Sequence, residues 1–147
     1  MKNGDISFEC YKEGKRHGQF ETLYVNGDRY IVRYKNGNKR NPFGYIWASG
    51  DSYTGKLKDG KKEGRGEFIW VNGDKFVGGY SNDKMNGKGV LTLENGERYM
   101  GKFEDDMKNG KGEILYVNGD VYIGEFKNNL RHGKGTIIYT NGARYVG

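Results

Sequence analysis

A step of 23 residues constrains this chain more than any other feature. "YTGKLKDG" begins at Tyr53, "YMGKFEDD" at Tyr99 and "YIGEFKNN" at Tyr122. Units open at Ser7, Tyr30, Tyr53, Phe76, Tyr99 and Tyr122 with the step of 23 unbroken, and a seventh is begun at Tyr145 as "YVG". A fixed period of this length marks tandem units, none of which can bury a face alone. The third position holds Gly55, Gly78, Gly101, Gly124 and Gly147, and the fifth holds Tyr11, Tyr34, Leu57, Tyr80, Phe103 and Phe126. Paired glycines follow at 64 and 66, 87 and 89, 110 and 112, 133 and 135. Apolar residues come next at Phe68, Leu91, Ile114 and Ile137, then at Trp70, Leu93, Tyr116 and Tyr139. Each unit closes on a turn glycine: Gly27, Gly50, Gly73, Gly96, Gly119 or Gly142.

The apolar residues alternate with a period of two, which is the strand period. Asn-Gly between alternating runs signals a hairpin. Each unit therefore reads as one β-hairpin plus a connecting turn. A two-residue loop at Lys61-Lys62 would pair Leu57 with Gly66, Gly55 with Phe68 and Tyr53 with Trp70. An even loop at Asn72-Gly73 would throw Phe76 onto the face opposite Trp70. That turn is therefore expected to have an odd loop, with glycine in the left-handed conformation or a bulge, and Asp74 and Asp120 helping to close it. The glycines leave bare backbone over which large rings lie flat, recovering the buried area that glycine forgoes. The expected fold is all-β: a single-layer, twisted antiparallel sheet of about six tandem hairpins and roughly thirteen strands.

Composition excludes several classes. Proline occurs once and glycine 26 times in 147 residues, which is not a collagen pattern. Aromatics make up 14% of the chain, too many for a disordered one. The single cysteine, Cys10, rules out a disulfide framework and fits a reducing compartment. No apolar stretch has the length of a membrane span. A cytoplasmic protein, with cytoskeletal or membrane association, is expected. No cofactor, metal or enzymatic activity is expected: no catalytic or metal-ligating spacing is present, and His17 and His132 read as exposed turn residues.

Residues 53–75, "YTGKLKDGKKEGRGEFIWVNGDK", resemble the MORN (membrane occupation and recognition nexus) repeat, as do 76–98, 99–121 and 122–144. With the divergent units 7–29 and 30–52 and a partial one at 145–147, the resemblance covers nearly the whole chain as one domain behind a tail, 1–6. It implies a rod-like single-layer sheet and scaffold roles in cytoskeletal or ciliary assemblies, at membrane contact sites, or beside lipid kinases and methyltransferases. Two units depart from the pattern. In 30–52, Val32 replaces the third-position glycine and "NPFG" places Asn41, Pro42, Phe43 and Gly44 at the paired-glycine site. In 7–29, Glu9 and Phe20 stand where glycines do later. Pro42 is expected at a bulge or hairpin tip, and the sheet is expected to be shaped differently at this end. Packing is the plainer reading; a partner pocket is the other.

The leading functional reading is a non-enzymatic scaffold that binds a partner helix or extended peptide along an aromatic trough. The candidate contacts are Tyr34, Phe43, Tyr45, Trp47, Tyr53, Trp70, Phe76, Tyr80, Tyr99, Phe103, Tyr116, Tyr122, Phe126 and Tyr139, read as an exposed stripe. A thinner apolar stripe on the reverse face includes Val77, Met100 and Ile123. Net charge is +6. Lys39, Arg40, Lys61, Lys62, Arg65, Lys84, Lys88, Lys108, Lys111, Arg131 and Lys134 are expected along one edge, facing an acidic partner or an anionic membrane. The alternatives are a phosphoinositide-binding membrane module and the regulatory repeats of a larger enzyme. A homodimer through sheet ends or faces stays open. Nucleic acid is not expected, because no reader motif is present.

Overall fold

The computed structural model describes residues 18–147, with 40–42 by backbone alone, and the backbone of 6–8, 11–12 and 15–16. Cys10 and His17, with the side chains of Arg16 and Arg40, lie outside the described residues. The strands are β1 Ile6–Phe8, β2 Tyr11–Lys12, β3 Lys15–Arg16, β4 Gly18–Leu23, β5 Arg29–Lys35, β6 Asn38–Ile46, β7 Ser52–Lys58, β8 Lys61–Ile69, β9 Lys75–Ser81, β10 Lys84–Thr92, β11 Arg98–Glu104, β12 Met107–Leu115, β13 Val121–Lys127, β14 Leu130–Ile138 and β15 Arg144–Val146. Thirteen of them form one antiparallel sheet in chain order, β1-β4 and onward to β15, while β2 pairs with β3. No helix occurs among the described residues.

One edge of the sheet is made of tight tips. Lys58 faces Lys61 across Asp59-Gly60, whose φ values of 52° and 76° make a two-residue type I′ turn. Asn36-Gly37, Asn82-Asp83, Asp105-Asp106 and Asn128-Asn129 repeat it. The expected loop at Lys61-Lys62 is thereby corrected: Tyr53 faces Phe68 rather than Trp70, Gly55 faces Gly66 rather than Phe68, and Leu57 faces Lys62 rather than Gly66. The cause is local. Asp and Gly enter the left-handed region at little cost, whereas Lys does not. A bulge of Glu63, Gly64 and Arg65 opposite Lys56 then shifts the register by two and keeps every ring on its face.

The other edge carries the odd loop that ring parity demands. Trp70 N–H donates to Asp74 O and Gly73 N–H to Trp70 O, both at 2.9 Å, leaving Val71, Asn72 and Gly73 as the loop, with Gly73 at φ 100°. Asp74 does more than close its own turn. Its Oδ1 accepts Glu94 N–H of the next unit at 2.8 Å, as Asp28 accepts Ala48 N–H at 2.7 Å, Asp51 accepts Val71 N–H at 2.8 Å and Asp120 accepts Thr140 N–H at 3.0 Å. The tips are stapled too. Asp83 Oδ1 accepts Lys62 N–H at 2.7 Å while Asp83 N–H donates to Lys62 O at 3.0 Å. Asp106 with Met85, and Asn129 with Lys108, do the same. These staples join units that share no helix or second layer.

Two cross-strand rows organise one face. The first runs Tyr30, Tyr45, Tyr53, Phe68, Phe76, Leu91, Tyr99, Ile114, Tyr122, Ile137, Tyr145, each facing the next. Beside it lies a row of bare backbone: Gly55, Gly66, Gly78, Gly89, Gly101, Gly112, Gly124 and Gly135. The Tyr53 ring lies across Gly55 and Gly66, where an added Cβ would fall 2.6 and 2.5 Å from its atoms. One ring thus covers two glycines, one on its own strand and one across the hairpin. A glycine in a strand costs about 0.5–1 kcal/mol relative to alanine. Burying a large ring recovers about 1.5–3 kcal/mol, so one ring offsets two glycines.

The glycine row ends at the N-terminal side. Phe43 faces Gly55, and Val32 faces Phe20. Phe20, Val32 and Tyr34 form a separate buried cluster, with Tyr30 and Phe43 packed on it. Pro42 falls in the stretch of β6 where the register shifts opposite Val32, the placement expected for a residue that cannot donate to the ladder.

A candidate protein-binding face with one open end

On the ring face, seven side chains form a continuous edge-to-face chain: Tyr53–Tyr80, Tyr80–Phe76, Phe76–Phe103, Phe103–Tyr99, Tyr99–Phe126 and Phe126–Tyr122, with centroids 5.1–5.5 Å apart. Each such contact adds about 0.5–1.5 kcal/mol beyond the area it buries. All seven are buried, Phe76 completely. The expected exposed stripe is therefore corrected for Tyr53, Phe76, Tyr80, Tyr99, Phe103, Tyr122 and Phe126, and for Tyr34 in the second cluster. They are the core. The half-buried rings are Phe43, Tyr45, Trp47, Trp70 and Tyr116, and Tyr139 is exposed.

The tyrosine hydroxyls at the first position end on backbone. Tyr53 Oη donates to Lys56 O at 2.7 Å, Tyr99 to Lys102 O at 2.7 Å and Tyr122 to Glu125 O at 3.1 Å. Burial pushes the Tyr53 and Tyr99 phenols up to about 12. A cation caps each of these rings: Lys62 Nζ stands 5.9 Å from the Tyr53 centroid, Lys108 Nζ 5.4 Å from Tyr99 and the Arg131 guanidinium 5.4 Å from Tyr122. In the unit that opens with Phe76, the same position holds Met85, packed on the core.

The expected basic edge is thus divided. Lys62, Lys108 and Arg131 lie over the rings. Arg65, Lys88, Lys111 and Lys134 alternate onto the reverse face and are exposed. Lys39, Lys61 and Lys84 are exposed near the tips.

The ring face opens where the glycine row ends. A groove of about 450 Å³ is lined by Tyr24, Tyr30, Lys39, Phe43, Tyr45, Leu57, Asp59 and Gly60. A second of about 310 Å³ adjoins it at Tyr45, Trp47, Tyr53, Leu57, Gly60, Lys62 and Asp83. Val32 holds the place over which a Tyr30 ring would otherwise lie flat. Tyr30 instead stacks on Phe43 at 6.3 Å and 24°, and Tyr24 stacks on Tyr45 at 6.3 Å and 26°. Tyr45 is pinned: its Oη donates to Asp28 Oδ2 at 2.7 Å. That bond, then Ala48 N–H, lowers the Asp28 carboxyl, while burial and the same bond push the Tyr45 phenol up to about 12.

A family model of the MORN repeat matches residues 10–29, 53–75, 76–98, 99–121 and 122–144. The chain belongs to the MORN-repeat family. Between the matched repeats the stretch passed over is 30–52, the unit of Val32, Pro42 and Phe43 that borders the open groove. No curated protein matches the chain. Two solved structures share the fold. The TCP domain of Drosophila melanogaster SAS-4 (dCPAP), in complex with a proline-rich motif of Ana2 (dSTIL), has a TM-score of 0.56 at 14% identity over 96% of this chain and 88% of that one. The wild-type TCP10 domain of Danio rerio CPAP has a TM-score of 0.60 at 14% identity over 100% of this chain and 70% of that one. No helix among the described residues is long and apolar enough to cross a membrane, and no cluster of His, Cys, Asp and Glu among them is placed to hold a metal.

Proposed function

We propose that this MORN-repeat chain is a protein-interaction scaffold whose N-terminal aromatic groove docks an extended, proline-rich segment of a partner in a cytoskeletal assembly. The observation that carries the reading is the groove itself, where Tyr24, Tyr30, Phe43 and Tyr45 meet beside Trp47. Further along the sheet Tyr53, Phe76, Tyr99 and Tyr122 are spent on covering glycine. Aromatic-lined grooves suit polyproline II segments, which arrive already extended and lose little entropy on docking. A similar sheet in the SAS-4 TCP domain is solved with a proline-rich motif of Ana2, which supports an extended occupant over a helix.

Trp47 and Trp70 are the two tryptophans of the chain, so Trp70→Phe leaves one reporter beside the groove. Titrating that variant with a synthetic proline-rich dodecapeptide is expected to shift the Trp47 emission with saturation. Phe43→Ala and Tyr45→Ala weaken the interaction, whereas Tyr139→Ala leaves it unchanged. A saturating response that is insensitive to Phe43 and Tyr45, or no response, would reject the reading.

A further inference from the structure

The reverse face of the sheet carries a second groove of opposite character, and we propose that it docks an acidic protein segment with an aliphatic residue at its centre. The groove measures about 360 Å³. Its floor is Val77, Val90 and Met100, its walls are Arg65, Lys88, Lys102 and Lys111, and no carboxylate lines it. Lys88 and Lys102 face each other directly across β10 and β11. Like charges opposed on a sheet destabilise it, so this pair is a local cost that a bound anion removes. Among the described residues none of the four cations closes an ion pair, although Lys75 reaches Glu67 at 3.6 Å on the same sheet. The neighbouring carboxylates stand beside the groove: Glu67 faces Val77 and Glu113 faces Met100, while Glu125 faces Lys111 across the strands.

Charge complementarity chooses the occupant. The cations stand on β8, β10, β11 and β12 around an apolar floor, so an extended chain crossing the strands sets carboxylates against Arg65 and the lysines while an aliphatic side chain fills the space above Val90. An anionic membrane would press on Glu67, Glu113 and Glu125 as well. A nucleic acid would find no ring on this lining to stack on. This site lies on the face opposite the aromatic groove and does not depend on it.

The test uses the full chain and a fluorescein-labelled peptide of alternating glutamate and leucine, followed by anisotropy. Binding that weakens as salt rises is expected. The R65Q/K88Q/K102Q/K111Q variant should bind about tenfold or more weakly, as the loss of several modest charge contacts implies, while Trp47→Ala binds as the parent does. In peptide-free protein, K88Q should raise the urea midpoint, because it removes one of two facing ammoniums. The proposal is overturned by an absence of binding, by equal affinity in the quadruple variant, by a lower midpoint in K88Q, or by phosphatidylserine vesicles binding in place of the peptide and losing that binding in the quadruple variant.

Discussion

The Tyr99 ring lies flat on Gly112 of the neighbouring strand, so close that a Cβ built there would sit 2.6 Å from the ring. A methyl group has no room unless the ring lifts off the sheet and breaks its contacts with Phe103 and Phe126. Gly112→Ala is expected to cost about 3 kcal/mol in urea denaturation. Gly142 sits at φ 87° with nothing within 4 Å, so Gly142→Ala should cost only about 1–2 kcal/mol, from backbone strain. In the Tyr99→Ala background the Gly112→Ala penalty should shrink by more than about 1 kcal/mol; full additivity would mean that the ring does not lie there.

Asp106 shows why a non-glycine residue is kept in the left-handed region at a tip. It holds φ 67° while its Oδ1 accepts Met85 N–H. Asp106→Gly relieves the strain but loses the bond, so the two changes offset to within about 1 kcal/mol. Asp106→Ala loses the bond and keeps the strain, and should cost about 2 kcal/mol. Denaturant midpoints of the two variants separate the contributions.

Alkaline pH tests the buried phenols. The phenols of Tyr53 and Tyr99 are raised by burial from 10 to about 12. A group whose folded pKa is raised holds its proton in the folded state while the unfolded chain has begun to lose it. Stability from these rings is therefore complete below pH about 10 and declines as pH rises through about 12. Urea midpoints should be flat from pH 7 to about 9 and fall beyond 10, with the phenolate absorbance appearing later in the folded chain than in the unfolded one. Coincident phenolate titrations of the two states would contradict the burial.

Lys62 and Met85 occupy equivalent positions in successive units, over Tyr53 and on the core beside Phe76 respectively. The cation also lies 3.7 Å from Asp83 Oδ1, with its side chain 17% exposed. Lys62→Met keeps the covering stem and gives up the cation–π contacts. It is expected to change stability by less than about 1 kcal/mol, while Lys62→Ala uncovers the ring and costs about 1–2 kcal/mol. Equal losses in both variants would assign the effect to charge rather than cover.

The period and the alternation were enough to read the all-β sheet, the odd loop at Asn72-Gly73 and the shared face of the rings. The expected two-residue loop at Lys61-Lys62 misplaces the hairpin register, because the dipeptide just before it, Asp59-Gly60, is the one that forms the type I′ turn. Exposure was misjudged for a different reason. Alternation says which face a ring is on, but not that Tyr53 can fold down over Gly55 on its own strand and meet Tyr80 edge to face. The basic ladder failed by parity: Lys62 and Arg65 lie an odd number of residues apart, with a bulge between them, and emerge on opposite faces. At the divergent unit, Val32, Phe20 and Phe43 could be picked out from the sequence, but their double effect could not. They pack together and also keep Tyr30 from lying flat, which leaves the groove open.

Chemical-shift mapping on the isotopically labelled chain, with and without the proline-rich dodecapeptide, tests the central claim most directly. Perturbations are predicted to cluster at Tyr24, Tyr30, Tyr45, Trp47, Leu57 and Gly60, with the amides of Gly101, Gly112, Gly124 and Gly135 unmoved beneath their rings. Perturbations centred on those four glycines, or spread evenly along the sheet, would contradict it.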